Sequence, residues 1–274
     1  MASRQPQAAA EPAGSATGSA PVEASGGVDP RVARIYQRLV ETYGEPRWEP
    51  DGDALGGLIA TVLSQHTSDV NSARAYATLI ERFPTWEAVR DAPTNEIADA
   101  IRVGGLAQIK AERIQRILRE LTERLRAEQA ARGVQDKADE ADEADEACEP
   151  RLTLDVLRGL PLAQAQEYLL GFSGVGPKTA ACVLLFSLGK PAFPVDTHVW
   201  RVTKRLGLIG QRVSADAAHT ILLGLIPPEW RHTMHVDLIQ HGRRICHAQR
   251  PVCQRCPLRA DCQYYWTTLA QASR

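Results

Sequence analysis

The chain has 274 residues, enough for one large or two modest cores, and its 33 acids against 32 bases leave a net charge of −1. That balance excludes a uniformly basic nucleic-acid binder, and no run of 18 or more apolar residues is present to span a membrane. The amino terminus lacks a basic start followed by an apolar stretch, so it is not a secretory leader and a cytoplasmic location is expected.

The overall charge hides its distribution. From Val134 to Glu149 eight acids stand against one lysine, a local −7, so the remainder carries +6, richest from Arg201 to Arg259. That distribution, unlike the total, favours a polyanionic partner.

Residues 1–28 are rich in Ala, Gly, Ser and Pro, with too few large apolar side chains to offset their ordering entropy, and a disordered tail is expected. Asp29 then reads as a helix cap, with Pro30 at the first helical position, apolar Val32, Ile35, Tyr36, Leu39 and Val40, and Gly44 at the end. After a turn-rich connector, Ala54–Ser64 is apolar almost all round, which predicts a core helix ending at Gln65 and His66. Amphipathic helices are expected at Asn71–Phe83 and Thr94–Val103, around the segment FPTWEAVRDAP. Gly104, Gly105 and Leu106 interrupt before a long charged helix from Lys110 to about Gln129. The acidic block to Glu149 should stay solvated as a loop or ragged extension, with Cys148 incidental in it.

Leu152–Leu170 resumes regular structure and leads into a glycine turn, Gly174-Val175-Gly176. Glycines there permit positive φ and close backbone approach, so amide N–H groups can converge on a phosphate at the start of the next helix. Lys178 falls in that helix's first turn, where the dipole opposes an ammonium and so favours the neutral amine a nucleophile requires. Asp196, followed by Thr197 and His198, stands where an N-cap is expected, and a carboxylate facing an amine is a usable catalytic pair. Cys182, inside an apolar run, reads as a small buried hydrophobe.

Further helices are expected up to Leu206, from Ser214 to Leu225, and near Trp230 to Gly242. The last carries His232, His235 and His241, to which no role is assigned. Four of the six cysteines, Cys246, Cys253, Cys256 and Cys262, then fall within 17 residues. Their crowding reads as metal ligation in a reducing compartment rather than as a disulfide framework. Spacing alone leaves two metal centres open, zinc held by four thiolates or a [4Fe-4S] cluster.

FSGVGPKTA followed by PVDTHVWRV closely resembles the helix-hairpin-helix DNA glycosylases of the endonuclease III type, and the similarity covers roughly residues 30–265. The resemblance implies an all-α fold of two helical domains with a cleft between them. Residues 52–190 would form a helical barrel carrying the hairpin, and residues 29–51 with 191–274 a second domain ending in an iron-sulfur loop. It assigns the phosphate grip to Gly174, Val175 and Gly176, the nucleophile to Lys178 and the assisting carboxylate to Asp196, with His198 beside it among the DNA contacts. Leu106 would wedge into the DNA stack. His66 stands where the family's glutamine fills the vacated base position, with Gln65 beside it. Arg250 aligns with a basic residue near a DNA phosphate, surrounded by Arg243, Arg244, Arg255 and Arg259. The cysteine spacing matches that family's [4Fe-4S] cluster.

The function so implied is base excision repair. A monomeric glycosylase would act on double-stranded DNA with damaged bases, notably oxidised pyrimidines, or abasic sites, with associated abasic-site lyase activity by β-elimination. Two alternatives stand beside it. An adenine-mismatch glycosylase would be expected to carry a glutamate near Val62 and no lysine at 178. A noncatalytic DNA-binding module could retain hairpin and cluster alike.

Overall fold

The computed structural model describes residues 28–136 and 149–269. Twelve α-helices and no strand occur among them. The expected tail, residues 1–27, and most of the acidic block with Cys148 lie outside the described residues.

The first helices begin where their caps dictate. α1 (Pro30–Tyr43) starts from Asp29, whose carboxylate accepts from Arg31 N at 2.8 Å. α2 (Ala54–Ser64) starts from Asp53, which accepts from Gly56 N. α3 (Asp69–Arg82) is capped by Ser68 and α4 (Trp86–Asp91) by Thr85. α4 is a short helix inside the segment FPTWEAVRDAP, to which the sequence assigned no element. α5 (Thr94–Ala100) and a 3₁₀ turn (Arg102–Gly104) precede α6 (Ala107–Asp136), which begins before Lys110 and runs past Gln129. α6 binds the barrel together through buried Ile114, Ile117, Leu118 and Leu121. Glu149, expected to be merely solvated, pairs with buried Arg90 at 2.7 Å and with Arg126 at 3.1 Å. It therefore anchors the chain as it returns to the barrel.

α7 (Val156–Gly159) and α8 (Leu162–Leu170) lead to the hairpin, and α9 (Pro177–Cys182) continues into a π-helical turn, Val183–Ser187. α10 (Thr197–Leu206), α11 (Ala215–Leu225) and α12 (Arg231–Arg244) complete the helices. Ser214 caps α11 by accepting from Ala217 N.

Buried apolar residues fall into two cores. One runs from Ala54 to Ala192 and includes Leu58, Ile59, Leu79, Ile114 and Phe172. The other joins Val32, Ile35 and Leu39 of α1 to residues from Phe193 to Cys262. Val28, expected to belong to the tail, packs against this second core. The chain crosses between cores in the connector after α1 and again at residues 191–195. Trp48 marks the first crossing: its Nε1 donates to Phe186 O at 3.0 Å and its ring stacks on His232 with centroids 4.5 Å apart. An ion pair between Arg243 of α12 and Asp69 of α3, at 2.9 Å, also spans the two.

Candidate active site

The hairpin between α8 and α9 is a tight turn held from behind. Val175 N donates to Phe172 O at 3.1 Å, Ser173 N to Glu120 of α6 at 2.9 Å, and Arg124 lies 3.9 Å over the Phe172 ring. Gly174 has φ +85°, the conformation that demands glycine. Gly176 does not: its φ is −96°, and a Cβ there would meet nothing within 4 Å. Its smallness keeps the surface open, and its carbonyl starts α9 by accepting from Ala180 N at 3.0 Å. Val175 departs from the expected grip. Its side chain is buried at 6% exposure and its amide is already bonded, so it serves packing instead. The amides of Gly174, Gly176, Lys178 and Thr179 have no acceptor among the described residues, and this row is what the turn offers an anion.

Lys178 stands half-exposed in the first turn of α9. Asp196 is the N-cap of α10, its Oδ1 accepting from Val199 N at 2.7 Å, which leaves Oδ2 uncommitted. Two buried groups sense both charges. Burial pushes the Cys182 thiol up, Lys178 pulls against that shift by charge and hydrogen bond, and Asp196 adds to it. Burial pushes the His235 imidazole down, while Asp196 raises it and Lys178 lowers it. Cys182 lies on α9 and His235 on α12, so amine and carboxylate both act on the same two buried groups from different helices.

The segment leading to Asp196 is clamped by histidines to which the sequence assigned nothing. Val195 N donates to His219 Nε2 at 3.1 Å, so Nδ1 carries the proton and donates to Ala215 O at 3.0 Å. His235 Nδ1 donates to Pro194 O at 2.8 Å. Burial lowers both imidazoles, which keeps them neutral and in these tautomers. A histidine among apolar residues at helical spacing signals burial but not its partner, so only the structure shows this clamp. His198 is half-buried and accepts at Nδ1 from Arg201 at 3.0 Å. Arg201 donates in turn to Gly242 O and Cys246 O, tying this neighbourhood to the cysteine loop.

Among the described residues, three that are not glycine have positive φ: His66 at 54°, Leu106 at 48° and Arg250 at 49°. All three are positions the sequence marked for DNA contact. Left-handed backbone at bulky residues is costly and collects at functional sites. Leu106 is 53% exposed, with Ile109 one turn on at 55%. His66 is exposed, whereas Gln65 is held on both sides: Arg113 Nη1 donates to its Oε1 at 2.5 Å, and its Nε2 reaches Thr179 Oγ1 at 3.4 Å. Gln65 is thus fixed beside Lys178's helix, and His66 projects.

Arg250 tops a loop closed by Val252 N on Ile245 O at 2.9 Å. Five arginines were expected around this loop. Arg243 pairs with Asp69, Arg244 lies over the Tyr43 ring and Arg259 over the Tyr265 ring, leaving Arg250 and Arg255 without partners among the described residues.

Cys246, Cys253, Cys256 and Cys262 line one small cavity with His241, Arg205 and Tyr264. Among the described residues no three His, Cys, Asp or Glu side chains converge as a single ion requires. The donors suit a larger thiophilic centre. Burial and mutual repulsion push the thiols of Cys253, Cys256 and Cys262 up, Cys256 to about 12, a cost that bound metal cations would remove. N–H donors surround the sulfurs: Arg205 Nη1 is 3.3 Å from Cys246 Sγ and His241 Nε2 is 3.6 Å from Cys256 Sγ. His241, given no role by the sequence, is fixed for this by Tyr43, whose hydroxyl lies 3.0 Å from its Nδ1.

A hairpin with a row of free amides, an amine and a carboxylate acting on the same two buried groups, and strained exposed side chains at His66 and Leu106 are the features of a helical enzyme of base excision. The family of HhH-GPD superfamily base excision DNA repair proteins matches residues 59–228, and the chain belongs to that superfamily, on its endonuclease III side. Endonuclease III of Thermotoga maritima is 32% identical over 234 residues, spanning 85% of this chain and 93% of that protein. A relative from Arabidopsis thaliana is 36% identical over 206 residues, spanning 75% of this chain but 61% of its own greater length. Among solved structures, a trapped covalent endonuclease III–DNA intermediate superposes with a TM-score of 0.65 at 27% identity, over 89% of this chain and 98% of that one.

Proposed function

We propose that the protein is a bifunctional DNA glycosylase and abasic-site lyase acting on oxidised pyrimidines in duplex DNA. The observation that carries this reading is the placement of Lys178 in the first turn after the glycine hairpin and of Asp196 at the cap of α10, with both charges acting on buried Cys182 and His235. The damaged nucleotide must leave the stack to reach it, and exposed Leu106 and His66 suit the two sides of the gap it leaves. Phosphate would lie on the free amides of Gly174 and Gly176, with Arg250 a second anchor.

In the reaction, the Lys178 Nζ lone pair forms a bond to C1′ as the bond from C1′ to the base breaks, the departing pair going to the base. Asp196 stabilises the positive charge that develops on the sugar. The amine nitrogen then loses its proton, the sugar ring opens to an imine, and loss of a C2′ proton expels the 3′ phosphate oxygen from C3′. The trapped covalent state of the superposed endonuclease III complex supports a covalent bond between enzyme and DNA in this reaction. An adenine-mismatch specificity is disfavoured here: Val62, near where a glutamate would be expected, is wholly buried in the barrel core.

The cysteine cavity would hold a [4Fe-4S] cluster through Cys246, Cys253, Cys256 and Cys262. When bound, it supplies a fixed scaffold for the loop carrying Arg250, not a reactant.

Borohydride trapping tests the reading. On duplexes carrying thymine glycol or an abasic site, a covalent adduct is expected with the wild type and none with Lys178→Ala. Binding without any adduct would overturn it in favour of a noncatalytic module. An adduct at abasic sites alone would remove the pyrimidine assignment.

A further inference from the structure

Lys110, near the start of α6, is 3% exposed, and it forms no ion pair among the described residues. Burial alone pushes its ammonium down. Its Nζ donates to two carbonyls from different segments, Leu63 O at 2.7 Å and Gly104 O at 2.8 Å. Leu63 lies in the last turn of α2, where Gln65 N bonds to Val62 O and Thr67 N to Ser64 O, so that no backbone donor reaches the Leu63 carbonyl. The second carbonyl belongs to Gly104, the last residue of the 3₁₀ turn ahead of α6.

Each of these carbonyls stands just ahead of a strained residue. His66 comes three residues after Leu63 and Leu106 two after Gly104, and both hold positive φ. Strained backbone persists only where its surroundings over-determine it. An apolar side chain of equal length would fill the space without burying a charge, so filling space does not explain a lysine here. One turn further along the same face of α6, Arg113 bonds to Gln65, which reaches Thr179 beside Lys178.

We infer that Lys110 is a positioning residue that fixes the Leu106 loop and the Gln65–His66 loop to one another, so that both enter a duplex at a set separation. The inference rests on the proposed repair function and names the residue that makes its two DNA-entering segments act together.

Two substrates separate this role from general support of the fold. Excision from a lesion duplex requires opening a base stack, whereas trapping at an abasic site in a single strand does not. For Lys110→Met and Lys110→Gln, duplex excision is expected to fall tenfold or more, on the order that misplacement of reacting groups costs. Single-strand trapping and the thermal transition should stay near wild type. A parallel fall on both substrates would overturn the inference, as would unchanged duplex excision. Should neither variant fold, a double-mutant cycle of Leu106→Ala with His66→Ala in the otherwise native protein decides. Coupled losses are expected, and independent ones would overturn the inference. Failure of the wild type to trap any abasic DNA is a separate result, which removes the repair function itself.

Discussion

His235 Nδ1 donates to the Pro194 carbonyl at 2.8 Å, two residues before the Asp196 carboxylate. The ring is 3% exposed, wedged against Phe186 and Phe193, and burial keeps it neutral and in the donating tautomer. Asn places an amide donor close to where Nδ1 lies, and Leu places none. His235→Asn should therefore retain most of the trapping rate, while His235→Leu should lose tenfold or more, the scale expected for a displaced catalytic group. DNA affinity should change little in either. Equal losses in both variants would mean that ring packing, and not the bond to Pro194, is what matters.

The first-turn position of Lys178 and the N-cap at Asp196 were legible because each lies in a short contiguous motif whose local physics is visible in one dimension. The core helices were legible for the same reason, since Asp29-Pro30 and the all-round apolar run after Asp53 carry their own boundaries. What stayed hidden depends on distant partners. Lys110 looks like one more charge opening a polar helix until its bond to Leu63, 47 residues away, is seen. His219 and His241 look like any isolated histidine. Val175 sits in the hairpin motif, yet turn geometry directs its side chain inward, which pattern alone does not reveal. α4 was hidden because six residues between Pro84 and Pro93 resemble a connector more than a helix.

Leu106 combines exposure with strain, and the two can be separated. Replacing it by Gly relieves a left-handed conformation worth about 1–2 kcal/mol, offset by about 1 kcal/mol of added freedom in the unfolded chain. Leu106→Gly should melt within a few degrees of the wild type yet excise damaged bases at least tenfold more slowly from duplexes. A large drop in melting temperature would show that the side chain packs rather than wedges.

The cysteine cavity predicts a stoichiometry. Protein purified without exposure to air should carry about four irons per chain and absorb in the blue-visible region, the iron content expected of a [4Fe-4S] centre. Cys256→Ala, which removes the thiol that burial pushes up to about 12, should lose the absorbance and release the Arg250 loop to proteolysis. One zinc per chain without iron would replace the cluster by a tetrathiolate site.

Asp237 of α12 is wholly buried, and both carboxylate oxygens lack a hydrogen-bond partner among the described residues. Burial first, and the charge of Glu45 second, raise its pKa to about 7, with Tyr36 and Tyr43 the other titratable groups it influences. An unfolded aspartate titrates near about 3.9. Below that value both states are protonated and the residue is neutral in its effect. As pH rises towards 7 the unfolded chain gives up its proton while the folded one retains it, so stability falls across this window and levels off above it. The penalty at its full extent is on the order of a few kcal/mol. Asp237→Asn keeps the shape and removes the titration. Its melting temperature should exceed that of the wild type by a margin that widens between pH 4 and 7 and is constant beyond. A margin that is flat over the whole range would show that the carboxylate is compensated in the folded protein.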